Sequence, residues 1–201
     1  MNYPTGIKKA ISKEKPKEHI VNYKNRGMTL ENDLNKTNLY YIEIGKAYIY
    51  KKPTPIKLVK VDYKKSKITE AYFDMPSTTD YNGIYKGKYI DFEAKETINL
   101  KGFPLANIHK HQIIHIRNIE KEHGICFLIV RFTKLNKTFL LLAKDFLEYL
   151  DNNTKCMIPL TYFEEKGYLI KDKFIPQVDY LEIIDNLKEW KYEEKWRKRN
   201  K

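Results

Sequence analysis

Cysteine and arginine are both scarce in this chain of 201 residues. Its two cysteines, Cys126 and Cys156, cannot build a disulfide scaffold and read as free thiols in a reducing cytosol. No run of about 18 apolar residues occurs, which excludes a transmembrane helix. No apolar stretch follows Lys8 and Lys9, so no secretory signal is expected and the chain is assigned to the cytoplasm. Neither G-x-x-x-x-G-K-[ST] nor G-x-G-x-x-G is present, so nucleotide hydrolysis has no support. A serine nucleophile lacks its G-x-S-x-G setting. His109, His111 and His115 cluster, but zinc would want a fourth ligand, neither cysteine is near, and the glutamate of H-E-x-x-H is missing.

What is present is positive charge. Lys and Arg number 38 against 26 Asp and Glu, a net charge of +12. Such a surface suits a polyanion, either nucleic acid or an anionic membrane. No basic amphipathic helix stands out, which weakens the membrane alternative. The arginines are Arg26, Arg117, Arg131, Arg197 and Arg199; every other cation is lysine. Lysine binds phosphate as a point charge, whereas arginine reads guanine edges, so the balance favours contact with a nucleic-acid backbone. Apolar residues at 42% and aromatics at 13% supply the core of one domain.

The pattern along the chain divides it. Residues 1–22 have no periodicity and read as a flexible basic arm, residues 23–187 as the folded domain, and 188–201 as a charged tail. From Gly27, Leu30, Leu34, Thr37, Tyr41 and Ile44 share a helical face that Gly45 closes. Residues 47–51 read as a strand, and 56–63 and 68–73 as a long projecting hairpin with a lysine-rich connection. Tyr81-Asn82-Gly83 and Lys86-Gly87 read as turns. Strands are expected at 88–95, 125–132 and 138–143, and helices at 105–123 and 144–152. Asp179 with Glu182 resembles a capping box and starts a last helix through Leu187. Residues 153–178 give no clear pattern.

The strand at 88–95 carries the chemical signal. Alternation puts Tyr89, Asp91, Glu93 and Lys95 on one face and Ile90, Phe92 and Ala94 on the other. Two carboxylates and an ammonium on a half-buried sheet are costly unless something binds there. A divalent metal fits, since Mg²⁺ takes one or two carboxylates together with water and substrate phosphate. A strand with Asp80 at its end, paired back on 88–95, would set that carboxylate beside Glu93. Asp80, Glu93 and Lys95 then form the catalytic set of a metal nuclease, with the ammonium placed where phosphate charge builds. Gln112 interrupts the apolar stripe Leu105, Ile108, Ile116, Ile119, so it either reaches this cluster or bonds to backbone inside the core. Asp91 is a spare carboxylate that leaves one or two metals open. Glu31 is a further acidic candidate or an ordinary first-turn glutamate.

Several blocks resemble the RecU family of Holliday junction resolvases. They are Asn25-Arg26-Gly27-Met28-Thr29-Leu30-Glu31, Lys52-Pro53-Thr54-Pro55, Glu70-Ala71-Tyr72-Phe73, Ser77-Thr78-Thr79-Asp80-Tyr81-Asn82-Gly83 and Asp91-Phe92-Glu93-Ala94-Lys95-Glu96-Thr97. The likeness continues through Phe103-Pro104-Leu105, His109, His111-Gln112 and Gly124-Ile125-Cys126-Phe127. It implies an α/β restriction-endonuclease-like fold of the PD-(D/E)xK class, a mixed central sheet flanked by helices with a projecting β-hairpin stalk at about 56–79. It implies Mg²⁺ held by Thr78, Asp80, Glu93 and Gln112, with Lys95 stabilising the transition state. Arg26 matches a DNA-contacting arginine, and the stalk lysines Lys57, Lys60, Lys64 and Lys65 fall where DNA would pass. The implied activity is Mg²⁺-dependent symmetric nicking of four-way junction DNA by a homodimer in recombination and repair, with the RecA recombinase as a further partner. A non-catalytic junction binder and a related duplex endonuclease remain the alternatives.

Overall fold

A computed structural model describes residues 26–74 and 78–187, the side chains of 26–29 excepted. The expected arm at 1–22 and the tail at 188–201 lie outside the described residues. The chain opens with α1 (Arg26–Glu43), then runs through β1 (Tyr48–Lys51), β2 (Ile56–Asp62), β3 (Lys67–Phe73), β4 (Tyr81–Tyr85) and β5 (Lys88–Thr97). After β6 (Gly102–Pro104) and a 3₁₀ turn (Leu105–Asn107) come α2 (Lys110–Lys121), β7 (Ile125–Phe132), β8 (Lys137–Leu142) and α3 (Ala143–Asn152). The chain continues with β9 (Met157–Pro159), α4 (Leu160–Lys166), β10 (Tyr168–Ile170) and α5 (Tyr180–Asn186).

Six strands form one mixed sheet in the order β1-β4-β5-β7-β8-β10. β5 and β7 are its parallel pair, with Glu93 in register with Leu128. The crossover between them is α2, as a parallel connection requires. β7 is apolar because both of its faces are covered. On one face Phe92 stacks between Tyr81 and Phe127, with centroids 4.8 Å apart on each side, and Leu30, Leu34, Tyr180 and Leu181 close that layer. On the other face Cys126, Leu128 and Val130 pack with Ile116, Phe146 and Phe163. Helices therefore flank a mixed sheet, the arrangement expected. β2 and β3 make a separate two-stranded sheet, and every residue of β3 is exposed. This is the expected hairpin, described over 56–73.

Three local readings need correction. Tyr81-Asn82-Gly83 is strand, not turn. Glycine stands at 83 because β1 crosses so closely that a Cβ there would lie 2.1 Å from the Tyr48 carbonyl oxygen. The turn is Lys86-Gly87, whose φ angles are +50° and +80°. The helix expected at 105–123 begins at Lys110, because 102–104 pairs with β9 and His109 forms the helix cap. Ile44 lies past the end of α1 and is exposed. The unpatterned stretch 153–178 holds β9, α4 and β10, elements of three, seven and three residues, too short to show a period.

Candidate active site

Strand alternation on β5 delivers Asp91 and Glu93 to the α2 side of the sheet, and both are fully buried. Lys95 follows on the same face and remains partly exposed. Asp80 immediately precedes β4, whose register with β5 sets Tyr81 opposite Phe92 and so brings Asp80 alongside Glu93. Its Oδ2 accepts the Ala94 backbone N–H over 3.1 Å, which pins the carboxylate to β5.

Glu93 is the centre of the cluster. Its Oε1 accepts from Lys95 Nζ over 2.7 Å and from Gln112 Nε2 over 2.8 Å. Its Oε2 is buried with no hydrogen-bond partner. Burial, then the neighbouring Asp80 carboxylate, push the Glu93 carboxyl up to about 7, against the pull of Lys95. A buried carboxylate with one oxygen vacant, crowded by a second carboxylate, is a site short of positive charge. Among the described residues no three His, Cys, Asp or Glu converge as a metal cage. Two carboxylates completed by neutral oxygens and water are what a hard divalent cation accepts, so this donor set fits one.

Gln112 satisfies both of its alternatives. It is the third residue of α2, where its Oε1 accepts the His109 backbone N–H over 3.0 Å in a capping box. The amide nitrogen therefore faces Glu93. Coordination through the oxygen requires the amide to turn over and release the cap.

Thr78 is exposed and reaches the cluster through Lys52, whose Nζ donates to Thr78 Oγ1 over 3.0 Å. The same ammonium donates to Thr79 Oγ1 over 2.6 Å and to Asp91 Oδ2 over 2.7 Å. Asp91 also accepts from the Thr79 hydroxyl, from Tyr89 OH over 2.8 Å, and lies 3.1 Å from His115 Nε2. Asp91 is not spare but saturated. Lys52, Thr79 and His115 were not singled out by the sequence reading for this role. His115 had a signal, three positions after Gln112 on one helix face. Lys52 had none, because its partners lie 26, 27 and 39 residues away.

Arg26 opens α1, but its side chain is outside the described residues. Glu31 pairs with Lys51 Nζ at 2.6 Å. On the hairpin, Lys57 lies over the Tyr72 ring and Lys60 pairs with Glu70 at 3.1 Å. Lys64 and Lys65 sit in the connecting turn, where their backbone N–H groups donate to Asp62 Oδ1.

Comparison with known proteins identifies the family. Residues 25–186 match the family model of RecU, Recombination protein U. The Holliday junction resolvase RecU of Pediococcus pentosaceus is 50% identical over 194 residues, covering 92% of this chain and 96% of that protein. The same-named protein of Streptococcus sanguinis is 48% identical over 190 residues, covering 92% and 94%. That of Geobacillus kaustophilus is 47% identical over 196 residues, covering 93% and 97%. Among solved structures, Archaeoglobus fulgidus Hjc, a Holliday junction resolvase, is similar with a TM-score of 0.43 at 12% identity, covering 72% of this chain and 96% of that one.

Proposed function

The chain belongs to the RecU family, and from that premise we propose how its residues do the family's work. It is a Holliday junction resolvase, an endonuclease that hydrolyses phosphodiester bonds of crossover DNA and depends on a divalent metal. The carrying observation for the site is buried Glu93, paired with Lys95 through Oε1, beside Asp80, its Oε2 without a hydrogen-bond partner among the described residues.

Asp80 and Glu93 would hold the ion, with Thr78 and, once its amide has turned over, Gln112 as neutral ligands, and magnesium is the ion we assign. When bound, it supplies Lewis-acid charge opposite the scissile phosphate. Lys95 contributes a fixed ammonium where the phosphoryl oxygens gain charge. Before an ion binds, the Gln112 amide nitrogen holds Glu93, and the Ala94 N–H orients Asp80. Lys57, Lys60, Lys64, Lys65 and Arg26 contact phosphates and carry no base reading, so binding falls steeply with salt. Symmetric nicking needs two equal sites, which a homodimer supplies. Contact with the RecA recombinase belongs to the same proposal and rests on the resemblance, and residence in the cytoplasm rests on the lack of a secretory signal pattern; among the described residues no helix is long and apolar enough to cross a membrane.

The test is cleavage of an end-labelled four-way junction beside matched linear duplex with Mg²⁺, using wild type and Glu93→Gln. Paired nicks in the junction alone, absent from the variant, support the proposal. Equal cutting of duplex points to a general nuclease. Tight junction binding without cutting by the wild type makes the protein a structural binder and sinks the catalytic reading.

A further inference from the structure

Lys52 and Thr78 stand at the two roots of the stalk. Lys52 directly follows β1, and Pro53-Thr54-Pro55 lead from it into β2. After β3 the chain returns through 78–80 into β4. The roots meet at Lys52, whose backbone N–H donates to the Asp80 carbonyl over 2.8 Å. Its ammonium donates to Thr78, Thr79 and Asp91 and lies 3.4 Å from His115 Nε2 on α2. The same His115 Nε2 lies 3.1 Å from Asp91 Oδ2. One side chain thus ties the outgoing root, the returning root, β5 and α2 together.

Two facts make this tie matter. Asp91 lies two residues before Glu93 on the same face of β5, and Thr78 and Thr79 directly precede Asp80. The hairpin itself is exposed along the whole of β3, so its bearing is set at its roots and not by packing along its length. A lone two-stranded ribbon has little stability of its own.

We infer that Lys52 is a positioning residue, clamping both stalk roots to β5 so that the seating of the stalk and the placing of Asp80 and Thr78 for chemistry form one mechanical state. The inference rests on the resolvase reading for its consequence in catalysis, but the clamp itself is testable without catalysis.

Lys52→Met alone leaves Asp91 buried without its ammonium, which is strongly destabilising. The working variant is therefore Lys52→Met with Asp91→Asn, which removes both charges, lets the amide oxygen face Tyr89 and His115, and turns the Thr79 contact round so that the amide nitrogen donates to Thr79 Oγ1. Amide hydrogen exchange in EDTA comes first. The double variant should exchange at Thr78, Thr79 and Asp80 about tenfold faster or more, with β7 amides unchanged. Unchanged exchange at 78–80 overturns the clamp. With Mg²⁺ and a four-way junction, kcat should fall about 100-fold while KM holds, the mark of misplaced groups with intact binding. Faster exchange with wild-type kcat overturns the link to chemistry. If wild-type protein cuts no junction, the resolvase reading fails while the exchange comparison still decides the clamp.

Discussion

Gln112 joins the first turn of α2 to β5, holding Glu93 Oε1 with its amide nitrogen and the His109 N–H with its oxygen. Gln112→Leu removes both bonds. It should cost about 1–2 kcal/mol of stability, as a lost cap and a lost buried hydrogen bond predict. Urea unfolding measures that, and a metal titration of cleavage should shift to higher concentration. Unchanged stability would mean that the cap carries no weight.

The second prediction concerns pH. In the folded chain the Glu93 carboxyl is raised from its ordinary 4.5 to about 7 by burial and by Asp80. Between those values the folded chain keeps a proton that the unfolded chain has released. Stability from this group is therefore full below about pH 4.5 and is lost as pH rises through about 7, on the order of 3 kcal/mol at most. Metal-free melts of Glu93→Gln should lack this fall, leaving the variant more stable than wild type at pH 8. Parallel curves for the two proteins would contradict the buried carboxylate.

Metal stoichiometry follows from Asp91. Its oxygens already serve Lys52, Thr79, Tyr89 and His115. Lys52 supplies the positive charge that a second cation would bring. Calorimetric titration with Mn²⁺ should give one ion per chain, and Lys52→Met with Asp91→Asn should leave that count unchanged. Two ions per chain in the wild type would overturn this.

Gly83→Ala probes the β1–β4 seam. A methyl group there meets the Tyr48 carbonyl oxygen at 2.1 Å, and backbone must move. A loss of about 1–3 kcal/mol is expected, as overpacking predicts. Thermal unfolding checks it, and a wild-type melting temperature would show that β1 yields freely.

Much of this architecture is legible in the residues, and for stated reasons. β7 shows its burial as an unbroken apolar run, and β5 shows its two faces by alternation. Asp179 shows the last helix start, where it accepts the Glu182 N–H. Glycine at 83 misled because a turn and a close backbone approach call for the same residue. The start of α2 misled because the apolar stripe continues upstream into a 3₁₀ turn. Asp80, Glu93 and Lys95 come together by strand pairing, which alternation anticipates. The Lys52–Asp91 contact was illegible, because it is made across two elements with the stalk between them.

That placement of the stalk has a consequence for design. β1 and β4 are antiparallel neighbours, with Lys51 opposite Tyr81, so everything between them is, to the main sheet, the loop of a single hairpin. The sheet requires only that the ends meet, and the entropy of closing a longer loop grows slowly, by about 0.6 kcal/mol per doubling. Stalk length is thus nearly a free parameter, adjustable a pleat at a time while the main sheet keeps its form.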